Sequence, residues 1–222
     1  MVAQRRTVST DPASEPPRRD HWARVLKWVG GATAVLSLVF ALQRAWQMVA
    51  DARERQRVVA EALATAHTYE ASGNYEAGWA ALAQAAERDP EDDALREARE
   101  TLAMRWLDDI RVTDGQRTFS EIVGMVQPVL ARGAALAEGQ RRADLLAHVG
   151  WGEFLRWREG ERGLQPDGLY RQALATDSQN VYGHAMLGHW IAWTGGELPA
   201  VRRELDAALG GGRERPYVRR MQ

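Results

Sequence analysis

The feature that most constrains the fold is a pair of helical patterns in residues 59–90, joined by a short turn signal. Small and apolar residues recur at helical spacing on both sides of Gly73-Asn74, a dipeptide of the kind that marks turns. Ala66 and Gly78 place small side chains where two antiparallel helices would cross. The segment is therefore predicted to form a helix-turn-helix unit.

This unit resembles a tetratricopeptide (TPR) motif, a repeat of roughly 34 residues that folds into two antiparallel helices. The small, large, turn, aromatic and proline positions of that motif are matched by Ala66, Tyr69, Gly73, Tyr75, Gly78, Leu82, Ala85 and Pro90. A second match runs through residues 181–209, with its turn at Thr194-Gly195-Gly196. Just before it, Tyr170 and Ala173 match the second helix of another unit, whose first helix we align on Gly152.

The stretch between these matches, residues 92–139, is the least regular. Two helices are predicted there, with a turn at Asp114-Gly115 and a kink or break of the second helix at Pro128. No alternating pattern typical of strands is visible. We therefore expect residues 59–210 to form an all-α, TPR-like α-solenoid of about four helix pairs, with a C-terminal cap or tail over residues 211–222.

The run from Trp28 to Leu42 contains no charged residue and is flanked by further apolar residues and by tryptophans. This pattern is typical of a membrane segment with interfacial aromatic residues at its ends. We predict a transmembrane helix over residues 22–46. Residues 47–58 would be a helical linker continuous with the first repeat, and residues 1–21 a disordered basic tail. A cleaved signal peptide and a buried core helix are the alternatives.

The expected location is a bacterial inner (cytoplasmic) membrane, crossed once, because a short basic tail before one apolar segment usually stays in the cytoplasm. The repeat domain would then be periplasmic or otherwise extracytoplasmic. A stripe of small residues on the predicted membrane helix is suited to helix–helix association in the bilayer. It consists of Gly30, Ala34, Ser37 and Ala41.

Nothing in the sequence supports catalysis. Cysteine is absent, no nucleotide-binding or hydrolase motif is present, and His184 and His189 are wrongly spaced for a shared metal ion. We expect no enzyme activity, no metal and no cofactor. Residues 58–222 carry more acidic than basic side chains, which argues against a nucleic-acid partner.

The resemblance to TPR proteins implies a protein or peptide partner, held in a groove lined by the first helix of each unit. Carried over position by position, the groove residues are Tyr182, Ala185, Met186, His189 and Trp193 in the last unit, Glu153, Arg156 and Trp157 in the preceding unit, and His67 and Glu70 in the first. The alternative is that these aromatic residues only pack against other side chains of the domain and bind no partner. Trp79, Trp106 and Trp151 are predicted to be core residues.

The function expected from this combination is a membrane-anchored adaptor or scaffold in an assembly at the membrane surface. Two alternatives remain open at this point. The chain could be a structural subunit held in a membrane complex through its transmembrane helix, or a secreted soluble TPR protein after signal cleavage.

Overall fold

The computed structural model describes residues 19–110 and 117–212, with side chains from Phe40 onward. These ranges contain eight α-helices and no strand: α1 (Arg19–Ala71), α2 (Tyr75–Arg88), α3 (Asp93–Asp109), α4 (Phe119–Leu136), α5 (Gly139–Arg158), α6 (Pro166–Thr176), α7 (Val181–Trp193) and α8 (Leu198–Gly212). The prediction of an all-α chain is confirmed for this part of the molecule.

The chain divides into two compact units, residues 1–54 and residues 55–222, and α1 belongs to both. In the first unit, the stretch 22–46 lies within α1, and Phe40, Leu42, Trp46 and Met48 have exposed side chains. None of the described helices combines the length and the apolar character that crossing a membrane requires. Of the predicted small-residue stripe, Ala41 is exposed, whereas the side chains of residues 30, 34 and 37 lie outside the described ones.

Further sequence predictions fall on residues outside the described ranges. These are residues 1–18 of the tail predicted over residues 1–21, the turn at Asp114-Gly115, and residues 213–222 of the predicted C-terminal cap or tail. Residues 19–21 of the predicted tail lie in α1.

In the second unit each helix packs on the next one along the chain, from α2 through α8, and α5 also contacts α3 and α7. Gly78 of α2 lies against α1, where an added Cβ would stand 3.3 Å from the carbonyl oxygen of Ala66. The small pair at the first helix crossing is thus in contact as predicted. Gly73 closes the turn between α1 and α2 with a φ of 75°, which favours glycine.

Polar contacts hold the first helices of successive pairs side by side. The imidazole of His148 on α5 is buried, with Nε2 3.2 Å from Asp108 Oδ1 of α3 and Nδ1 2.6 Å from the carbonyl oxygen of Asp144. Asn180, at the start of α7, donates from Nδ2 to Asp144 Oδ1 over 2.7 Å. Because these bonds are directional, they fix how α3, α5 and α7 lie against one another.

Pro128 does not split α4, contrary to one of the two outcomes expected from the sequence. The helix continues through it from Phe119 to Leu136. Proline removes one helical hydrogen bond, but Pro128 and its usual partner Gly124 are both exposed, so water can bond the free carbonyl. The opposite face, with Val123, Val126 and Leu130 fully buried, packs on α5 and keeps the helix continuous.

The small residue that allows α5 to approach α6 is Gly150, and not Gly152 as the sequence alignment assumed. A Cβ on Gly150 would stand 2.7 Å from Tyr170 Cε1 of α6, whereas one on Gly152 would meet Val123 of α4. The TPR motif must therefore be placed two residues earlier on α5, with Gly150 at the crossing position. On a helix, a shift of two residues turns the side chains by roughly 200°.

Candidate aromatic recognition site

The C-terminal halves of α5 and α7 bring together six ring side chains, here called the aromatic cluster. Its members are Trp151, Phe154 and Trp157 from α5 and His189, Trp190 and Trp193 from α7. The α5 residues are three apart and the α7 residues fall at positions i, i+1 and i+4, so each set lies on one face of its helix.

Phe154 is the centre of the cluster. Its ring centroid lies 5.1 Å from that of His189, 6.2 Å from that of Trp190 and 5.9 Å from that of Trp193, all edge-to-face. The ring centroid of Trp157 on α5 lies 5.1 Å from that of Trp190 on α7. Such geometries are favourable for aromatic pairs and make the cluster a rigid platform.

The cluster runs from the protein core to the surface. Phe154 is completely buried and Trp151 nearly so, and the indole nitrogen of Trp151 donates to the carbonyl oxygen of Leu107 at 3.0 Å. Trp157 and His189 are partly buried, and Trp193 is 49% exposed. The aromatic cluster therefore reaches solvent through Trp193.

A cleft of about 340 Å³ opens at the exposed end of the cluster, lined by Trp157, Arg158, Gly160, Arg162 and Trp193. The guanidinium of Arg158 lies over the ring of Trp193 at 4.9 Å and within 5.6 Å of the ring centre of Phe119. Cation–π contacts of this kind hold an arginine in place without neutralising its charge.

The link between α5 and α6 is held by two carboxylates. Glu159 accepts hydrogen bonds from the backbone N–H groups of Phe119 and Ser120 at the start of α4, over 2.6 and 2.8 Å. Burial raises the pKa of Glu159, but the bonds from Ser120 and Phe119 lower it by more. Glu161 accepts from Nε and Nη2 of Arg156 at 2.7 and 2.6 Å. The wall of the cleft formed by this link is thereby fixed.

Burial, followed by the positive charge of Arg158, lowers the pKa of His189 to about 4. His189 is therefore neutral at neutral pH and acts there as an aromatic member of the cluster. An unfolded chain would protonate this residue near its ordinary pKa of about 6.5. Between these two values the unfolded state binds more protons than the folded state, so the folded state loses stability as the pH falls through this window.

His189→Phe is expected to remove that pH dependence. As the pH is lowered from 7 to 4, the free energy of unfolding of the variant should rise by about 2 kcal/mol relative to that of the unaltered chain. This is less than the lowering of the pKa alone would give, because solvent reaches part of the ring. Urea unfolding of the full chain at several pH values measures this difference. His67→Gln, at an exposed histidine outside the aromatic cluster, is the control for removing a histidine as such. If the free energy of unfolding depended on pH in the same way in the unaltered chain and in His189→Phe, the lowered pKa of His189 would be contradicted.

The structure brings three of the predicted groove residues together: Trp157, His189 and Trp193. The other predicted residues lie elsewhere. Ala185 and Met186 are fully buried in the core, and Tyr182 packs edge-on against His148 with 4.4 Å between ring centres. Trp79, Trp106 and Trp151 are buried, as predicted.

Arg156 and Glu153 of α5, both predicted to lie in the groove, instead contact the link between α5 and α6. Arg156 binds Glu161, and burial raises the pKa of Glu153, which accepts a backbone hydrogen bond from Gln165. In the first pair, His67 is exposed and Glu70 forms an ion pair with Arg105 of α3. These residues are not part of the aromatic cluster.

Sequence reasoning missed Phe154, Trp190, Arg158 and Arg162 as site residues, and placed Trp151 only in the core. Aligning α5 on Gly150 would have put Trp151 and Phe154 on the face toward α7. Among the residues described, no three His, Asp or Glu side chains converge as metal ligands would.

The described helices form a TPR-like fold of stacked helix pairs. Among solved structures, the crystal structure of a thermophilic TPR protein from Thermus thermophilus is similar, with a TM-score of 0.53 and 18% sequence identity over 73% of this chain and 78% of that one. At 18% identity, this structural similarity supports the fold and nothing beyond it. No protein-family model and no curated protein sequence matches the chain.

Proposed function

We propose that this chain is a non-enzymatic, membrane-anchored scaffold that binds a protein or peptide partner in the cleft beside Trp157 and Trp193. The observation that carries the proposal is the exposure of Trp193 at the end of the otherwise buried aromatic cluster. Tryptophan and arginine are the residues most enriched at binding hot spots, and both line this cleft. A rigid platform loses little entropy when a partner binds.

The membrane anchor in this proposal is the helix over residues 22–46, and its support is the uncharged run from Trp28 to Leu42. In the proposed topology the N-terminus is cytoplasmic and the repeat domain lies outside the inner membrane of a bacterium. Fusions of alkaline phosphatase and of a cytoplasm-specific reporter after Gln222 test this. Activity of the phosphatase alone supports the topology, and activity of the cytoplasmic reporter alone refutes it.

The double substitution Trp157→Ala with Trp193→Ala should reduce partner capture at least tenfold, because two hot-spot tryptophans each contribute roughly 1–2 kcal/mol or more. The measurement is crosslinked co-purification from membranes with a C-terminal tag, quantified against the unaltered chain. Leu136→Ala, which removes another exposed apolar side chain (58% exposed), is the matched control and should capture normally.

Circular dichroism of both variants checks that helicity is retained. Undiminished capture by a folded double variant would refute the cleft as the binding site. A structural subunit held through its membrane helix makes a different prediction: replacing residues 22–46 by an unrelated membrane helix would abolish assembly, whereas the scaffold would keep its partner. N-terminal sequencing of the mature chain distinguishes a secreted form, since only that form would lack the anchor.

A further inference from the structure

The cleft beside the aromatic cluster has two arginines at its rim whose charges the neighbouring acids do not neutralise. Arg158 and Arg162 are both exposed, and no ion pair joins either of them to another of the described residues. The two adjacent acids are engaged elsewhere: Glu159 binds the start of α4, and Glu161 binds Arg156. The cleft therefore carries a local positive charge on a domain that is net acidic.

The other half of the cleft is apolar and recessed. Trp157 stacks on the buried ring of Phe154, with 6.1 Å between ring centres, and is only partly exposed. Trp193 forms the outer edge, beneath the guanidinium of Arg158. A side chain that inserts into the cleft can reach both indoles, whereas the flat surface of a bilayer can reach Trp193 more readily than Trp157.

Resting on the proposed partner-binding function, we propose that the cleft takes an acidic peptide segment of a protein partner. One carboxylate of the segment would bind between Arg158 and Arg162, and a neighbouring apolar or aromatic side chain would pack on Trp157 and Trp193. Charge complementarity also decides against the chain's own ends as occupants, because residues 1–21 and 211–222 carry more basic than acidic side chains.

The test exposes the full chain, in a non-ionic detergent, to a synthetic library of randomised ten-residue peptides. The retained peptides should be enriched in Asp or Glu next to an aromatic or large aliphatic residue. The affinity of the best of them should fall at least tenfold in Arg158→Glu with Arg162→Glu, and again in Trp193→Ala. It should also weaken as salt is added, because the ion pairs lie at an exposed rim.

The matched control is Arg142→Glu with Arg202→Glu, which reverses two exposed charges that do not line the cleft and should change affinity less than twofold. Arg162→Glu alone keeps the test valid if the Arg158 variant does not fold, since Arg158 also packs on Phe119 and Trp193. Retention of neutral or basic peptides only, or equal affinities in the cleft and control variants, would overturn the proposal.

A second arm uses vesicles of phosphatidylglycerol. Binding to these vesicles that depends on Trp193, with no peptide retained, would assign the cleft to lipid headgroups and overturn the peptide proposal. If the acidic peptides fail while the Trp157→Ala, Trp193→Ala chain still loses its crosslinked partner, the partner-binding function stands and only this inference about partner chemistry falls.

Discussion

Gly150→Leu is expected to destabilise the helical domain by about 3 kcal/mol, the upper part of the range for overpacking a close contact. Gly150 of α5 faces α6 so closely that a Cβ would stand 2.7 Å from Tyr170 Cε1 and 3.1 Å from Leu169 Cβ. The Tyr170 ring is completely buried, and in a close-packed interior the larger side chain is expected to push the two helices apart. Urea unfolding of the full chain, followed by circular dichroism, measures the loss.

Gly168→Leu is the matched control, because Gly168 lies on α6 of the same helix pair and an added Cβ would meet nothing within 4 Å. This variant should lose no stability: leucine favours the helix over glycine, so its free energy of unfolding should stay the same or rise by up to about 1 kcal/mol. Equal stabilities of the two variants would mean that α5 and α6 do not cross at Gly150.

The second large effect is expected at the ion pair of Glu100 and Arg141. The carboxylate of Glu100 lies within the domain, with its side chain 3% exposed, and accepts a hydrogen bond from Arg141 Nη2 at 2.8 Å. Gly133 of α4 leaves the space that this carboxylate occupies. Arg141→Met would keep most of the aliphatic stem but leave a buried charge without its cation. The expected loss is about 2–3 kcal/mol, below that for a fully enclosed pair because Arg141 is partly exposed.

Arg132→Met provides the comparison, since the pair of Arg132 with Glu91 is solvent-exposed on both sides. Its loss should be below about 0.5 kcal/mol. Adding Glu100→Gln to Arg141→Met should recover at least about 1 kcal/mol, because the neutral amide removes the uncompensated charge. A double variant less stable than Arg141→Met alone would show that the pair is not the source of the loss.

The sequence was a good guide where local chemistry decides the structure. The turn at Gly73, the crossing of Ala66 and Gly78 and the eight helices in the described ranges follow from turn residues and helical periodicity. These features depend on residues near one another in the chain. The burial of Trp79 and Trp106 was predictable in the same way, because both stand among apolar helix residues.

The site was harder to predict because it depends on contacts between helices distant in sequence. Both Gly150 and Gly152 are small enough to mark a helix crossing, and only the packing of Tyr170 identifies Gly150. The insertion between α5 and α6 removed the spacing that would have decided the alignment. With the wrong choice, Glu153 and Arg156 were placed in the groove, although the link between the helices uses both.

Met186 shows a second limit of position-by-position transfer. It occupies a position carried over as groove-facing, yet its side chain is completely buried. Conversely, nothing in the local sequence around Arg158 distinguishes it from the other arginines of the chain. Its position over Trp193 follows from where the end of α5 meets the end of α7, which periodicity alone does not specify.

Site-specific photo-crosslinking in intact cells tests most directly whether a partner occupies the cleft. Benzoylphenylalanine would be placed at position 193, and at position 136 as an exposed control on α4. We predict a discrete crosslinked product at position 193 that weakens in Arg162→Glu, and no such product at position 136. Crosslinking to the same partner at position 136 with none at position 193 would contradict the assignment of the aromatic cleft as the binding site.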